Sequence, residues 1–457
     1  MRKRLTSILA VVLIVGVASA CSSTGATPSS GPTGNTGTTA PGASPTTNIS
    51  GTIDVLTNRT DIVDSVFNAQ YVPAFNKLYP NVTVKFEALK DYEGDTKIRM
   101  NTTQYGDVLL IPNAIKADQL ASYFTPLGTV ADLSKTYRLT TEQSFDGICY
   151  GLPITINANG IVYNKKVWSA AGITSLPTTP DQFLADLQTI KTADAGKNGF
   201  VAPLYTNYHD GWPVTQWQSN AGEVSGSADY NNSLYKTDSP WTVGSDEYTI
   251  YKLMYDAVHN GLTERDPTTT DWESSKGLIG SGKVSAMVLG SWAIVQMQQA
   301  AVTAGGAATD IGYMPFPTQV NGKFYSNIGG DYKIAINKNS PNQAAARAWV
   351  DWFENQSNYA FDQGGVSPLV TGKNPSQLSD FTTAGVVYIQ QTPAPAGQQT
   401  FLGDIQDKST VQLFGTNWPQ RIIDAARGAT KESLESIFAD LNAKWKAART
   451  AVGAPNS

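Results

Sequence analysis

Cysteine and histidine are nearly absent from these 457 residues: Cys21, Cys149, His209 and His259 are all there is. Past Cys21 a single thiol remains. No internal disulfide can form, so stability must come from apolar cores. Neither histidine stands in an H-E-x-x-H pattern, so no metal site is expected. No G-x-S-x-G elbow is present. Charged residues make up only 16% of the chain, the formal net charge is −5, and no basic stripe exists. Nucleic acid is therefore not an expected partner. No cofactor motif survives inspection either. Gly277-Leu278-Ile279-Gly280-Ser281-Gly282-Lys283 has phosphate-loop spacing, but Val284 has no hydroxyl for magnesium. Moreover 272–278 reads as a helix and 284–289 as a strand, the reverse of the required strand–loop–helix order. Cys149, between Ile148 and Tyr150, reads as a buried small apolar residue rather than a nucleophile.

Long uncharged stretches do occur at the amino end. Arg2, Lys3 and Arg4 precede a charge-free run from Leu5 to Ala20. At about 16 residues it is shorter than the roughly 20 of a bilayer-spanning helix, and it reads as an export signal over 1–20. Cys21 at its end resembles the lipobox of bacterial lipoproteins, which implies diacylglycerol on the sulfur and a membrane anchor. Ala18-Ser19-Ala20 also fits ordinary signal cleavage. Residues 21–50 follow as a Ser, Thr, Gly, Pro, Ala and Asn tract without charge. Such a tract has too little apolar surface to order itself, so a flexible tether on the order of 30 Å is expected. Losing the leader would take the net charge from −5 to −8.

The remaining chain, about 400 residues, suits two domains. Strands are expected at 52–56, 82–86 and 107–111, with helices through Val66 to Phe75 and near 92–103. This alternation implies a parallel sheet with helices on its faces. Thr179-Pro180-Asp181-Gln182 and Ser340-Pro341-Asn342-Gln343 both read as capping boxes opening helices. Leu434, Ile437, Phe438, Leu441, Trp445 and Ala448 form a helical apolar stripe. Trp349, Trp352 and Trp445 lie on such stripes and read as core. Tyr205, Tyr208, Trp212, Trp217, Trp241, Trp292, Tyr332 and Trp418 stand in polar, turn-like contexts instead. A flat ring with a polar rim suits the apolar face and hydroxyl edge of a sugar. Carboxylates are plentiful, but a glycosidase pair is defined in space, so their number carries no information.

The order of segments resembles the family 1 extracellular solute-binding proteins of ATP-binding-cassette importers, the group of maltose-binding protein. Four stretches carry the resemblance. They are Tyr150-Gly151-Leu152-Pro153 with Gly160-Ile161-Val162-Tyr163-Asn164-Lys165-Lys166; Ala171-Gly172-Ile173 with Leu176-Pro177 through Phe183; Gly282-Lys283-Val284-Ser285-Ala286-Met287 with Gly290-Ser291-Trp292; and Gly329-Gly330 with Ile334 to Ser340 and the helix to Phe353. Pro180 departs from the family's usual Trp, and Cys149 precedes the Y-G-L-P.

The resemblance implies an α/β, two-lobed, type II periplasmic-binding-protein fold. Each lobe is a mostly parallel sheet flanked by helices, and hinge crossovers join them. Lobe 1 is expected to comprise 51–155 with 333–370, and lobe 2 156–332 with 371–457. A carbohydrate captured between the lobes would be delivered to a membrane permease by a monomeric, lipid-anchored protein on the outer face of the membrane. No catalysis and no cofactor are implied. The resemblance marks Asp107 and Trp292 as ligand residues, and less directly Asn58, Arg59, Tyr205, Tyr208, Trp212, Asp331 and Tyr332. A polyamine, an iron complex or a phosphorylated polyol as ligand, or a surface glycoside hydrolase, remain open at this level.

Overall fold

The computed structural model describes residues 48–60, 62–194, 196–197 and 199–456. The leader, Cys21 and the linker as far as residue 47 lie outside the described residues. Strands β1 (Gly51–Thr57), β2 (Val82–Ala88) and β3 (Val108–Leu110) form where the apolar runs place them, and β1 pairs parallel with both others. The chain adds β4 (Leu152–Pro153) and crosses over. It then builds β5 (Ile156–Asn164), β6 (Ala202–Leu204), β7 (Val284–Gly290), β8 (Ile311–Met314) and β9 (Tyr325–Gly330). β10 (Lys333–Ile336) returns to the first sheet and β11 (Val387–Ile389) joins the second. The strand orders are β2-β1-β3-β10-β4 and β11-β9-β5-β7-β6, with β8 also on β5.

Beside a small three-stranded antiparallel sheet of Gly128–Thr129, Ser144–Phe145 and Ile148–Cys149, both of these larger sheets are mixed, where mostly parallel sheets were expected. β10 is antiparallel to β3 and β4, and β5 is antiparallel to β7, β8 and β9. β4, β5, β9 and β10 are the strands at which the chain changes sheets. A strand arriving from the other sheet needs no covering crossover helix, so nothing forces it parallel.

The two crossings run side by side. Ile154 N–H donates to the Tyr332 carbonyl (3.0 Å) and Asp331 N–H to the Thr155 carbonyl (2.9 Å). Gly330 sits where they touch. A Cβ there would lie 2.8 Å from Pro153 Cβ and 2.7 Å from Glu142 Oε2. Any side chain at 330 would push the crossings apart.

Helix starts follow local chemistry. Asp91 caps α1 (Tyr92–Arg99) by accepting from Gly94 N–H at 3.1 Å. Thr179 Oγ1 caps α2 (Pro180–Asp194) through Gln182 N–H, but the Gln182 side chain bonds Thr178 rather than closing a box with Thr179. Next come α3 (Asp246–His259), α4 (Trp272–Gly280) and α5 (Gln343–Gln356). The second expected box does not form: Ser340 Oγ accepts from Asn342 N–H (3.0 Å) while donating to Asp107, the Ser340 N–H goes to the Asn337 carbonyl, and Gln343 Oε1 accepts from the Thr125 hydroxyl (2.9 Å). α6 (Phe401–Ser409), α7 (Asn417–Ala426) and α8 (Leu434–Val452) follow. Ahead of Val72–Asn76, the segment Val63–Tyr71 is wound as a π-helix, a form the sequence did not announce.

One apolar cluster joins Ile53, Phe75, Val108, Ile334, Trp349 and Trp352 under the first sheet. The second sheet is covered on both faces, so β5 carries apolar residues on both of its faces, Ile161 and Tyr163 on one and Ile156, Ala158 and Val162 on the other. Ile161 and Tyr163 face a cluster with Phe183, Trp418 and Trp445; Ala158 and Val162 face one with Met287, Ile294 and Phe381. Every residue of the α8 stripe is buried. Each such Leu, Ile or Phe contributes roughly 1.5–3 kcal/mol. Cys149 is buried, its Sγ donates to the Gly151 carbonyl at 3.3 Å, and burial pushes the thiol up to about 11. The pseudo-phosphate loop is the end of α4 running into β7. Among the described residues no helix is long and apolar enough to cross a membrane.

Candidate functional site

A cavity of about 490 Å³ opens beside the crossings. β5 contributes Asn157 and Asn159, and β9 contributes Asn327 to Gly330. Gln216, Gln218, Asn231, Trp292, Gln390, Gln391, Leu413 and Phe414 supply the far walls, and Leu139, Thr141 and Glu142 close the near side. The lining is unusual in charge: eight carboxamides and one carboxylate, with no Lys, Arg or His. That carboxylate, Glu142, is already engaged by Lys333 Nζ (2.8 Å) and by Gly330 N–H.

The carboxamides fall into two sets. Four are held by the protein. Asn159 Nδ2 donates to the Ser219 and Asn327 carbonyls, both at 3.1 Å. Asn327 Nδ2 donates to the Ser219 and Ala221 carbonyls, while its Oδ1 accepts from Gln391 Nε2 at 2.9 Å. Gln218 donates to Glu247 at 3.2 Å and accepts from Tyr251 at 3.1 Å. The other four, Asn157, Gln216, Asn231 and Gln390, form no side-chain hydrogen bond among the described residues. Each offers two donors and an acceptor to whatever enters.

Buried acids support this wall from behind. Glu223 Oε1 accepts from Asn327 N–H at 2.7 Å. Asp246 accepts from Gly222 N–H (2.6 Å) and from the Ser225 hydroxyl (3.1 Å). Burial raises the pKa of Glu223 and Asp246, and pushes Glu247 up to about 7. Protonation is the physical response of a carboxyl removed from water without a cation beside it.

Of the expected residues, Trp212 and Trp292 are brought together. Their ring centroids are 5.7 Å apart, and Trp272 completes a triad at 4.9 Å from Trp212 and 5.6 Å from Trp292. Trp292 faces the cavity and Trp212 is 37% exposed. Asn58, Arg59, Asp331 and Tyr332 form a second group at the carboxyl edge of the first sheet. The buried Asn58 Oδ1 has no partner among the described residues. Arg59 donates to the Tyr359 hydroxyl (3.1 Å) and Gln363 (2.8 Å). Burial raises the Asp331 pKa, against the opposing pull of Lys333 and Arg59. Tyr332 donates to Glu93 at 2.8 Å, and Glu93 also holds Asn113.

Three expected residues join neither group. Asp107 precedes β3, at the amino edge of the sheet, whereas open α/β sheets bind ligands at the carboxyl edge. Its carboxylate accepts from Asp54 N–H at 2.8 Å and from the Ser340 hydroxyl, tying β3 to the segment before α5. The cavity it borders has no aromatic lining. Tyr208 turns away to Asp424 (2.9 Å), with Arg427 over its ring at 5.8 Å. Tyr205 is buried beneath the wall, its hydroxyl pushed up to about 12 by desolvation. Trp217, Trp241 and Trp418 are core residues. Sequence reasoning missed the open carboxamides, Glu93, Trp272 and Phe414. A signal existed for Asn157 and Asn159: two amides at i and i+2 of one strand share a face.

The bacterial extracellular solute-binding protein family model matches residues 58–360. A binding protein of an ABC transporter from Bifidobacterium animalis subsp. lactis, solved with mannobiose, is 36% identical, with a TM-score of 0.77 over 88% of this chain and 95% of that one. A manno-oligosaccharide-specific solute-binding protein of the same organism, solved with mannotriose, is 33% identical at the same TM-score and coverage. The diacetylchitobiose-binding protein of Streptomyces coelicolor is 25% identical over 50% of this chain and 52% of its own length. The chain thus spans about half the length of that curated relative. With the family model matching well over half of its length, and two mixed sheets joined by paired crossings, this chain belongs to the bacterial extracellular solute-binding proteins.

Proposed function

We propose that this chain captures a short, uncharged oligosaccharide for an ATP-binding-cassette importer, and that manno-oligosaccharides are the first ligands to try. The observation that carries the reading is the cavity lining: a tryptophan, four open carboxamides and no unpaired charge. A pyranose presents an apolar face to an indole and hydroxyls to amides. A phosphorylated polyol calls for cations, and a polyamine for free carboxylates; the lining offers neither. Hydrolysis calls for two carboxyl groups across the scissile bond. Glu142 alone, already paired, supports binding without catalysis. The ligands of the two Bifidobacterium proteins support the choice of mannosides.

The lobes in this reading are 51–155 with 333–370 and 156–332 with 371–457. Asn58, Arg59, Asp331, Tyr332 and Glu93 then face the sugar-holding wall across the crossings. Contacts made by both lobes exist only in the closed form, so ligand shifts the population toward closure, and a permease can read that shape. Cys21 carries the lipid that keeps this monomer on the outer face of the membrane.

The test is a thermal-shift and calorimetry panel of mannobiose, mannotriose, diacetylchitobiose, maltotriose, mannose 6-phosphate and spermidine. A specific ligand at 100 times its Kd stabilises by about 2.7 kcal/mol. A shift with neutral glycans alone is expected. A shift with spermidine or the phosphate and none with glycans overturns the reading, as does release of a cleaved product. Mass spectrometry of Cys21 checks the anchor separately.

A further inference from the structure

We propose that Phe414 is a second apolar platform of this site and sets the length of glycan the protein holds. The inference rests on the sugar-binding reading above. Phe414 is 61% exposed, yet it lines the same cavity as Trp292, Gln216 and Asn231. A large apolar ring turned to water lowers no free energy on its own. A mobile loop could fold such a ring away, but this loop is held. Val411 and Leu413 are buried at 3% and 4%, and Phe414 stands beside Leu413 at the corner of the turn from Gln412 to Gly415, facing outward. Leu413 N–H donates to Gln406 Oε1 at 2.9 Å. The Gln412 carbonyl accepts from the Trp418 indole and from Gly415 N–H, both at 2.8 Å. The loop also packs on the segment that carries Trp212: a Cβ on Gly211 would lie 3.2 Å from Thr416 Cγ2.

The chemistry of the ring defines its partner. Phenylalanine has no hydroxyl or N–H, so it recognises only an apolar face. Among the described residues the ring contacts of Trp292 are with Trp212 and Trp272 and not with Phe414, so the apolar face that Phe414 covers belongs to a sugar ring other than the one on Trp292. A ligand using both platforms has more than one ring, and the unit on Phe414 is the outer one.

The test is calorimetric titration of the full chain with mannobiose, mannotriose and mannotetraose, using wild type, Phe414→Ala, Phe414→Trp and Trp292→Ala. Phe414→Ala is expected to weaken the longest bound glycans at least tenfold and the disaccharide less than threefold, with Tm unchanged and Phe414→Trp restoring the loss. Trp292→Ala is expected to weaken all lengths together. Equal loss at every length for Phe414→Ala, or no loss at any length, overturns the platform while wild-type binding leaves the sugar reading standing. No binding of any glycan by wild type overturns both.

Discussion

The indole of Trp292 stands 5.7 Å from that of Trp212, tilted by 49°, and the two belong to different stretches of the chain 80 residues apart. Trp272 props both rings. Replacing Trp292 by Ala is expected to reduce affinity for a neutral oligosaccharide about 10- to 100-fold, the effect of losing a central aromatic anchor worth roughly 1.4–3 kcal/mol. Titration calorimetry measures it. Trp272→Ala should give a smaller affinity loss together with a lower Tm, because it supports the platform without facing the cavity.

The two sets of carboxamides should separate under mutation. Gln216→Ala or Gln390→Ala removes a group with no protein partner, so Tm should hold while affinity falls several-fold, about 1 kcal/mol per lost hydrogen bond. Asn327→Ala removes the side-chain donor to the Ala221 carbonyl, one of the two donors to the Ser219 carbonyl, and one of the two acceptors of the Gln391 amide. It should lower both Tm and affinity. Equal Tm losses in the two sets would contradict the division.

Stability should depend on pH through two buried acids. Burial pushes Glu247 and Glu264 each up to about 7, against the opposing effect of Gln218 and Tyr230 on one and Thr206 on the other. Their folded pKa lies above the unfolded value near 4.5. The folded form therefore keeps its proton where the unfolded form has lost it. The resulting stability is fully present below about pH 4.5 and is lost as pH rises through about 7, on the order of 3 kcal/mol per group. Glu264→Gln should flatten this decline, so its Tm relative to wild type should be higher at pH 8 than at pH 5. A difference independent of pH would contradict the assignment.

Cys149 should be inert in the native protein. Its thiol is buried, bonded to the Gly151 carbonyl and raised to about 11. Ellman's reagent should titrate it only after denaturant is added. Fast labelling of the folded chain would contradict the burial.

The strands at 51–57, 82–88 and 108–110 and the stripe of α8 were legible in the sequence because period and apolarity are local properties. So was the reversed order that discredits the phosphate loop. The box at Ser340 was not, because the competitor for the Gln343 side chain, the Thr125 hydroxyl, is 218 residues away. Asp107 stands apart from the cavity for a readable reason. It precedes the apolar run of β3, so it lies at the amino edge of the sheet; the residues that follow that run, among them Asn113, held by Glu93, lie at the opposite edge. Tryptophans in polar contexts proved an uneven guide. Trp212 and Trp292 meet near the cavity, whereas Trp217, Trp241 and Trp418 are buried at 2%, 2% and 6%.

The sequence by itself determined the class of fold, the resemblance to the family and a poverty of charge that argues against a nucleic-acid partner. These depend on residue order and composition, which need no coordinates. Only the tertiary structure decided which amides are spent and which are open. It alone mixed the sheets through their crossings and gathered Asn157, Gln216, Asn231, Trp292, Gln390 and Phe414 around one cavity. The physical reason is that a side chain's availability depends on its partners, and here the partners of a carboxamide come from segments tens to hundreds of residues away.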